Sequence, residues 1–240
     1  MTWDWMALLV FVAVLVTLSV FGRFLVFKVP AFAEMRAMND EVDRQKLARK
    51  PYRAAVKVNN DTGLVISVGF YVLVLPFFIG LEARPLWRHV VDIVAVLMIY
   101  DFFYYLTHRF LFHGRLLRKV HALHHQARKP TWIDALYVHP VETAIGLLLF
   151  LLTVPLWAWG MGGPLHPVSI AVCTAIFTYL NQVNHTWVSL RRFPFHTIDT
   201  ITALHAAHHI DMSHGNYATI TMLYDWLFGT LEKPAHRAAP

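Results

Sequence analysis

The chain has 240 residues, of which 57% are hydrophobic and 15% charged, and its formal net charge is +6. A typical soluble domain is about 45–50% apolar and about 25% charged, so this composition excludes an ordinary soluble domain. The single cysteine, Cys173, excludes an intramolecular disulfide framework and a cysteine-based zinc finger. The chain also has 15 histidines, as many as all its aspartates and glutamates together. These counts indicate a histidine-rich integral membrane protein.

Five apolar stretches predict an all-α, polytopic membrane fold with about four to five hydrophobic helices. A spanning helix needs about 20 mostly apolar residues and makes all its backbone hydrogen bonds internally. The stretches are residues 5–27, 64–81, 89–107, 141–160 and 167–183. The first predicts a retained anchor, because no small-residue cleavage site follows it. The last two predict a hairpin around the turn cluster 160–164, either fully spanning or stopping within the bilayer.

A proline and the charged residues add detail to the predicted fold. Pro76 predicts a kink in the second stretch, and Asp92 and Asp101 predict that the third stretch faces other helices rather than lipid. Lysine and arginine concentrate in residues 28–57, in residues 108–139 and after Asn184. The positive-inside rule places these segments in the cytoplasm and the N-terminus on the opposite side, which corresponds to five membrane passes. The basic segment 31–53 predicts a charged interfacial helix with a solvated face.

Nine histidines form a pattern that predicts metal binding. His108 and His113 are an H-x4-H pair, and H-x2-H-H motifs begin at His121 and His205. Because residues three and four apart share one face of a helix, each H-x2-H-H motif predicts a claw of three imidazoles. We expect both claws in a helical, histidine-rich cytoplasmic cap. The nine candidate ligands are His108, His113, His121, His124, His125, His185, His205, His208 and His209.

Packed imidazoles compete for hydrogen-bond donors or repel one another when protonated, and metal coordination removes that conflict. Neutral imidazole binds Zn, Cu, Fe and Ni. A tetrahedral zinc site uses about four ligands, so nine histidines suggest two metals side by side.

Other functions fit the sequence less well. It contains no H-E-x-x-H, Glu-x-x-His or G-x-S-x-G motif and no glycine-rich phosphate loop. The basic residues adjoin predicted spans, which favours topology and lipid contact over nucleic-acid binding. A non-catalytic metal-binding protein or metal carrier stays an alternative, although a carrier is expected to place ionisable residues within several spans. A bis-histidine haem cytochrome would instead need isolated histidine pairs on facing helices.

The order of these motifs resembles the fatty acid hydroxylase/sterol desaturase superfamily. Gly215-Asn216-Tyr217 and residues 224–230 are similar to its closing signature, and Tyr100-Asp101 and residues 139–142 are similar to other family segments. The resemblance covers about residues 92–232. It implies a division into N-terminal membrane anchor helices with a basic cytoplasmic loop (1–90) and a catalytic domain with the membrane hairpin and the C-terminal histidine cluster (91–240).

The resemblance implies a membrane-bound di-iron oxidoreductase that hydroxylates or desaturates a lipid chain. The nine histidines would hold two Fe ions, which zinc could replace in purified material, and dioxygen would be the co-substrate. No haem-binding extension is visible in the sequence, so a separate electron donor is implied, either cytochrome b5-like or ferredoxin-type. The sequence does not separate hydroxylation from desaturation, and sterol, fatty acyl, carotenoid and aminolipid substrates all stay open.

The resemblance also implies supporting residues around the metals. Some relatives carry a histidine four residues before the one after the hairpin; Asn181 stands there in this chain, so Asn181 or a water is a candidate tenth ligand. A metal-bound imidazole commonly donates its second N–H to a carboxylate or carbonyl. The remaining candidates, as ligands or as such partners, are His139, His196, His214, Asp101, Glu142, Asp199, Asp211 and Asp225.

Overall fold

The structure is a computed structural model that describes residues 2–186 and 196–234. Across these ranges the chain is helical and contains no strand, only an isolated bridge between Ile79 and Leu165. The α-helices are α1 (Trp5–Val26), α2 (Pro30–Ala48), α3 (Lys50–Leu73), α4 (Leu86–Thr107), α5 (Arg118–His121), α6 (Pro140–Gly160), α7 (Pro167–Asn184), α8 (His196–His208) and α9 (Leu223–Leu227). A π-helical turn at His108–Phe112 extends α4, and 3-10 turns lie at Leu75–Phe77, His124–Gln126 and Trp132–Leu136.

Four described helical segments are long and apolar enough to cross a bilayer, which confirms the predicted class. They are Trp5–Val26, Lys50–Phe77, Leu86–Phe112 and Pro140–Gly160. The second begins earlier than predicted, at Lys50. Pro76 lies in the 3-10 turn after α3 rather than at a kink within it, because proline lacks the N–H that would continue the helix.

The prediction of five membrane passes is not confirmed. Among the described residues, α7 is not a fifth candidate span beside those of α1, α3, α4 and α6, since polar residues occupy its last turn. The helix nevertheless packs closely on α1 and on α4, so it is an integral part of the bundle. The predicted hairpin of α6 and α7 is present.

The core lies where α4 packs between α6 and α7, while α1 covers α7 and α3 covers α6. The Phe150 and Phe177 rings stack at 4.2 Å between centroids, and Tyr100 meets both rings edge-on. Asp92 and Asp101 are fully buried, which confirms that α4 turns its carboxylates towards the protein rather than lipid.

The bundle has two distinct ends. At one end, Leu165 exchanges backbone hydrogen bonds with the chain after α3, accepting from Gly80 N (2.9 Å) and donating to Phe78 O (2.8 Å). Asp4 N also donates to Pro76 O there, at 2.9 Å. The α6–α7 hairpin therefore turns at this end and returns the chain to the opposite end, where α4 finishes.

The basic segment is anchored to the rest of the protein, and the prediction of a simply solvated face is wrong for one side of α2. Lys46 pairs with the buried carboxylate of Asp134, and Thr131 Oγ1 donates to Asp43 Oδ1 at 2.6 Å. The Tyr52 hydroxyl donates to Asp134 Oδ1 at 2.7 Å. These contacts fix α2 and the start of α3 against the turn that follows the first H-x2-H-H motif.

Candidate metal centre

The nine predicted histidines converge at one end of the bundle as two groups. All nine are buried, and within each group the candidate ligand nitrogens lie within 4.8 Å of one another. We call the five His108, His113, His121, His125 and His208 the first histidine group, and the four His124, His185, His205 and His209 the second histidine group. The groups adjoin: the His125 and His209 rings stack at 5.0 Å between centroids.

Each H-x2-H-H motif is shared between the groups, so the predicted claws of three imidazoles are wrong. His121 and His125 lie in the first group and His124 in the second. In this motif the reason is local: α5 ends at His121 and a separate 3-10 turn begins at His124, so the motif does not occupy one continuous helix. In the other motif, which begins within the continuous helix α8, His208 joins the first group while His205 and His209 join the second.

The H-x4-H pair depends on the π-helical turn. His113 N donates to His108 O at 2.9 Å, which is the i to i+5 bond of a π-helix. In an α-helix, residues five apart face different directions. The wider turn brings His113 back under His108, and their ring centroids lie 5.0 Å apart.

Backbone carbonyls set the orientation of three rings in the first group. A carbonyl only accepts, so the facing Nδ1 carries the hydrogen, and the Nε2 of a neutral ring is then a bare lone pair. The Nδ1 donors and their acceptors are His108 to Tyr217 O (2.7 Å), His113 to Met212 O (2.9 Å) and His208 to Gly215 O (2.7 Å). In the second group, His185 Nδ1 donates to Asn181 O in the same way, at 2.7 Å.

Glu142 supports a fourth ring of the first group. Its Oε1 lies 2.8 Å from His121 Nδ1, and both side chains are buried. With the hydrogen on Nδ1, the lone pair of His121 Nε2 faces that of His108 Nε2 at 3.0 Å. Two lone pairs at this distance repel unless a cation lies between them.

The nitrogen spacings fit a metal. The separations His121–His125, His124–His185 and His185–His205 are each 3.0 Å between Nε2 atoms. Nitrogens bound to one ion at about 2.1 Å and at right angles lie about 3.0 Å apart. The residues therefore fit metal binding in both groups, on donor chemistry as well as on distance.

Burial keeps these imidazoles neutral, as ligands must be. Desolvation lowers the pKa of His185 to about 4, even though its hydrogen bond to the Asn181 carbonyl raises the pKa. Desolvation is also the largest cause that lowers the pKa of His208, to about 3. The pKa values of His121, His205 and His209 fall well below the ordinary histidine value, first through burial and then through neighbouring histidines.

A cavity of about 570 Å³ lies against both groups, and we call it the central cavity. The histidines that line it are His108, His124, His185 and His205. Leu64, Leu147 and Phe177 line it as apolar side chains from α3, α6 and α7, and polar side chains from the same helices also line it. Leu64 lines the cavity and is 64% exposed, so the cavity reaches the outer surface of the bundle at α3.

Comparison with known proteins agrees with this geometry. The family model described as fatty acid hydroxylase matches residues 93–230, more than half of the chain. The chain belongs to the fatty acid hydroxylase family. This confirms the resemblance inferred from the motifs, and the family is iron-dependent.

Two of three relatives of this family member are sterol enzymes by name. The chain is 31% identical to methylsterol monooxygenase 1 of Rattus norvegicus over 162 residues, covering 62% of the chain and 50% of the relative. It is 27% identical to the Delta(7)-sterol 5(6)-desaturase of Eremothecium gossypii over 229 residues, covering 90% and 58%. It is 26% identical to Protein CER1-like 2 of Arabidopsis thaliana over 184 residues, covering 72% and 29%. The chain thus spans between 29% and 58% of the length of these three relatives, and no solved structure matches it significantly.

Three further histidine candidates lie outside both groups. His139 caps α6, its Nδ1 accepting from Val141 N at 3.2 Å. His196 is exposed at the start of α8, beside Thr200. His214 contacts Asp211, its Nδ1 lying 3.1 Å from the carboxylate.

Glu142 is the one predicted acid that contacts a grouped histidine among the described residues. Asp211 is exposed and accepts from Ser213 N at 2.7 Å, and Asp199 lies in the first turn of α8. Asn181 lines the central cavity, and its backbone oxygen, rather than its side chain, contacts His185.

Asp101 and Asp225 act one step further away, by holding the tail that carries the orienting carbonyls. Asp101 accepts from the backbone nitrogens of Thr219, Ile220 and Thr221 at 2.9–3.0 Å. Asp225 accepts from Tyr217 N and Ala218 N, both at 2.8 Å. The segment 215–221 is therefore fixed to α4 and α9.

The orienting carbonyls of Met212, Gly215, Tyr217 and Asn181 were not predicted. Backbone oxygens have no residue-type signature, so sequence reasoning misses them. The available signal is Gly215-Asn216: a Cβ at Gly215 would lie 2.1 Å from Thr230 O, and Asn216 has φ of 60°. Glycine permits the close approach, and asparagine tolerates the left-handed conformation.

Proposed function

We propose that this protein is an iron-dependent membrane oxygenase that hydroxylates or desaturates a lipid chain, using dioxygen and electrons from a separate donor protein. The observation that carries the proposal is the pair of adjoining histidine groups, whose bare nitrogens face one another beside a cavity within apolar helices. The names of the relatives support a lipid substrate, since two of them act on sterols.

In this proposal the nine grouped histidines hold two iron ions, one in each group. A bound iron pair supplies the activation of dioxygen that attack on an unactivated C–H bond requires, which acid–base side chains do not provide. The protein supplies the rest: the carbonyls of Tyr217 and Gly215 and the carboxylate of Glu142 orient the rings, and burial keeps them neutral.

The central cavity would position the substrate. Its volume of about 570 Å³ lies within the range of small-molecule sites, about 300–1,000 Å³. Tyr104, Leu147 and Phe177 would contact the lipid substrate and exclude water from its reacting carbon. The opening beside Leu64 would admit a lipid directly from the bilayer.

The sidedness and partners complete the proposal. By the positive-inside rule, the basic segments support a histidine end in the cytoplasm and an N-terminus on the opposite side. A cytochrome b5-like or ferredoxin-type donor would approach from there. A metal carrier is not favoured, because Asp92, the buried acid at the other end, lies near Arg84 and Arg88 at 3.4–3.5 Å and accepts from Trp157 Nε1 at 2.9 Å instead of continuing a metal path.

The test is expression in a host that lacks the activity, followed by mass spectrometry of its lipids. We expect a lipid species displaced by +16 mass units for hydroxylation or by −2 for desaturation. His124→Ala and His208→Ala, one from each histidine group, should each lower product formation at least about 100-fold. Metal analysis of the purified wild-type protein should give about two irons per chain.

His196→Ala is the matched control, because His196 is exposed and lies outside both groups. It should leave product formation and iron content unchanged. Product formation by either ligand variant at the wild-type rate, with the fold intact by size-exclusion chromatography, would overturn the metal assignment. Zinc in overexpressed protein is exchanged for iron before the assay.

A further inference from the structure

A second cavity, of about 600 Å³, lies on the other side of α3 and α7 from the central cavity. We call it the lateral cavity. It is enclosed by α1, α2, α3 and α7, and apolar side chains such as Leu15, Met35, Tyr71 and Trp132 form much of its wall. None of the grouped histidines lines it.

The two cavities meet at a waist formed by Ser67, Thr178 and Gln182, the three residues that line both. In the described chain, α3 and α7 do not pack closely on each other: α3 packs on α6 and α2, and α7 packs on α1 and α4. Serine is small, so on the α3 side the waist carries no large side chain. The lateral cavity thus adjoins the central cavity, which lies against the histidine groups.

One charged residue lines the lateral cavity. Arg23 lies in the last turn of α1, at the histidine end of the bundle, and no carboxylate pairs with it within the residues that the structure describes. Arginine is always protonated and donates in a fixed fork that suits carboxylate and phosphate oxygens. Arg23 therefore offers an acidic group a partner at the edge of an apolar space.

We propose that the lateral cavity binds the head-proximal half of an acyl lipid whose acidic head group lies at Arg23 and whose chain passes the waist into the central cavity. This rests on the proposed function only in naming that lipid a substrate. Ser67, Thr178 and Gln182 then select for chain shape, because a branch or a ring must fit between α3 and α7 before it reaches the histidine groups.

The test maps where a bound chain lies. The full-length protein in detergent is incubated with hexadecanoate carrying a diazirine at the end opposite the carboxylate, irradiated, and digested for peptide mass spectrometry. We expect labels on central-cavity residues such as Tyr104 and Leu147. In Ser67→Trp the indole blocks the waist, so the labels should move to α1 and α7 around the lateral cavity.

Val65→Trp is the matched control, because Val65 is 71% exposed on the outer face of α3. It should keep the wild-type labels. Labels that stay in the central cavity of Ser67→Trp, or labels absent from both cavities of the wild type, would overturn the proposal.

A second measurement tests the head group. Arg23→Gln should weaken competition by unlabelled hexadecanoate at least about 10-fold while leaving competition by hexadecanol unchanged. Arg23→Lys should restore part of the loss, and Lys28→Gln, which does not line the cavity, should behave as wild type. Equal losses for acid and alcohol would overturn the role of Arg23.

These readouts need no catalysis. Binding across both cavities without oxidised product would refute the proposed function and leave this inference standing. Product formation that does not depend on Ser67 would support the proposed function and overturn this inference.

Discussion

The tautomer of each metal-facing histidine is set by what its other nitrogen contacts. Where Nδ1 donates to a carbonyl, as in His108, His113 and His208, Nε2 faces the group as a lone pair before any metal arrives. Elsewhere, for example at His205 and His209, Nδ1 has no hydrogen-bond partner among the described residues. The first histidine group is therefore the more completely oriented of the two.

Glu142 allows this difference to be tested at one residue. Glu142→Gln keeps the size of the side chain and replaces the carboxyl group that contacts His121 Nδ1 with an amide. We expect one of the two metal ions to bind about 10-fold more weakly, the lower end of the range for partners of metal-bound histidines. Iron retained against a graded series of chelator concentrations measures this loss.

The control for Glu142 is Asp211→Asn. Asp211 is an exposed acid whose contacts are Ser213 and His214, outside both histidine groups. It should retain iron as the wild type does. If Glu142→Gln released both ions together, or neither, the carboxylate would not act through His121 alone.

At the scale of elements, short irregular segments position the site more than the long helices do. The π-helical turn at His108–Phe112 aligns the first histidine pair, and the tail 215–221 supplies two of the orienting carbonyls. The tail itself has little regular structure. It is held by Asp101 and Asp225 and by the pairing of Asn216 N with Thr230 O at 3.0 Å.

Gly215 is where the tail is tightest. In Gly215→Ala the new methyl group would lie 2.1 Å from Thr230 O, so the backbone at residue 215 must move. The Gly215 carbonyl, which orients His208, moves with it. We expect a stability loss of about 1–3 kcal/mol, typical of forced overpacking. The thermal midpoint in detergent should fall by several degrees, and iron content should fall towards one per chain.

Gly160→Ala provides the comparison, because a Cβ there meets nothing within 4 Å. Its thermal midpoint and iron content should equal those of the wild type. A full complement of two irons in Gly215→Ala would show that the Gly215 carbonyl does not orient His208.

At the scale of the whole molecule, the α6–α7 hairpin decides where the histidines meet. The hairpin turns beside Leu165 at one end of the bundle and delivers His185 to the other end, next to His124 from before the hairpin. α1 packs on α7 and α3 on α6, so the N-terminal helices enclose the site from the side. The division into residues 1–90 and 91–240 stays a prediction.

The sequence predicted the nine grouped histidines and their convergence, because residue types alone determine which side chains can bind a metal and how long each apolar stretch is. It did not predict the sharing of each H-x2-H-H motif between two groups. The break between His121 and His124 depends on how that turn packs, and the division of the motif in α8 depends on which histidines of other segments face it. Docking of Lys46 against Asp134 and the waist at Ser67 join residues far apart in the chain. Neither has a local pattern.

Burial of so many neutral histidines makes the stability of the metal-free protein depend on pH. Burial first of all lowers the pKa of His208 to about 3 and of His185 to about 4, whereas an unfolded histidine titrates near about 6.5. Between these values the unfolded chain binds protons that the folded chain does not, so each such histidine removes up to about 1.4 kcal/mol of stability per pH unit as the pH falls.

After chelator treatment, the thermal midpoint in detergent should be level above about pH 7 and fall steadily towards pH 5. His196→Ala should follow the same curve, while His185→Gln combined with His208→Gln should make the fall shallower, since the other buried histidines still contribute to it. A midpoint that held constant or rose on acidification would mean that the folded protein accepts these protons, contrary to the burial on which the metal centre depends.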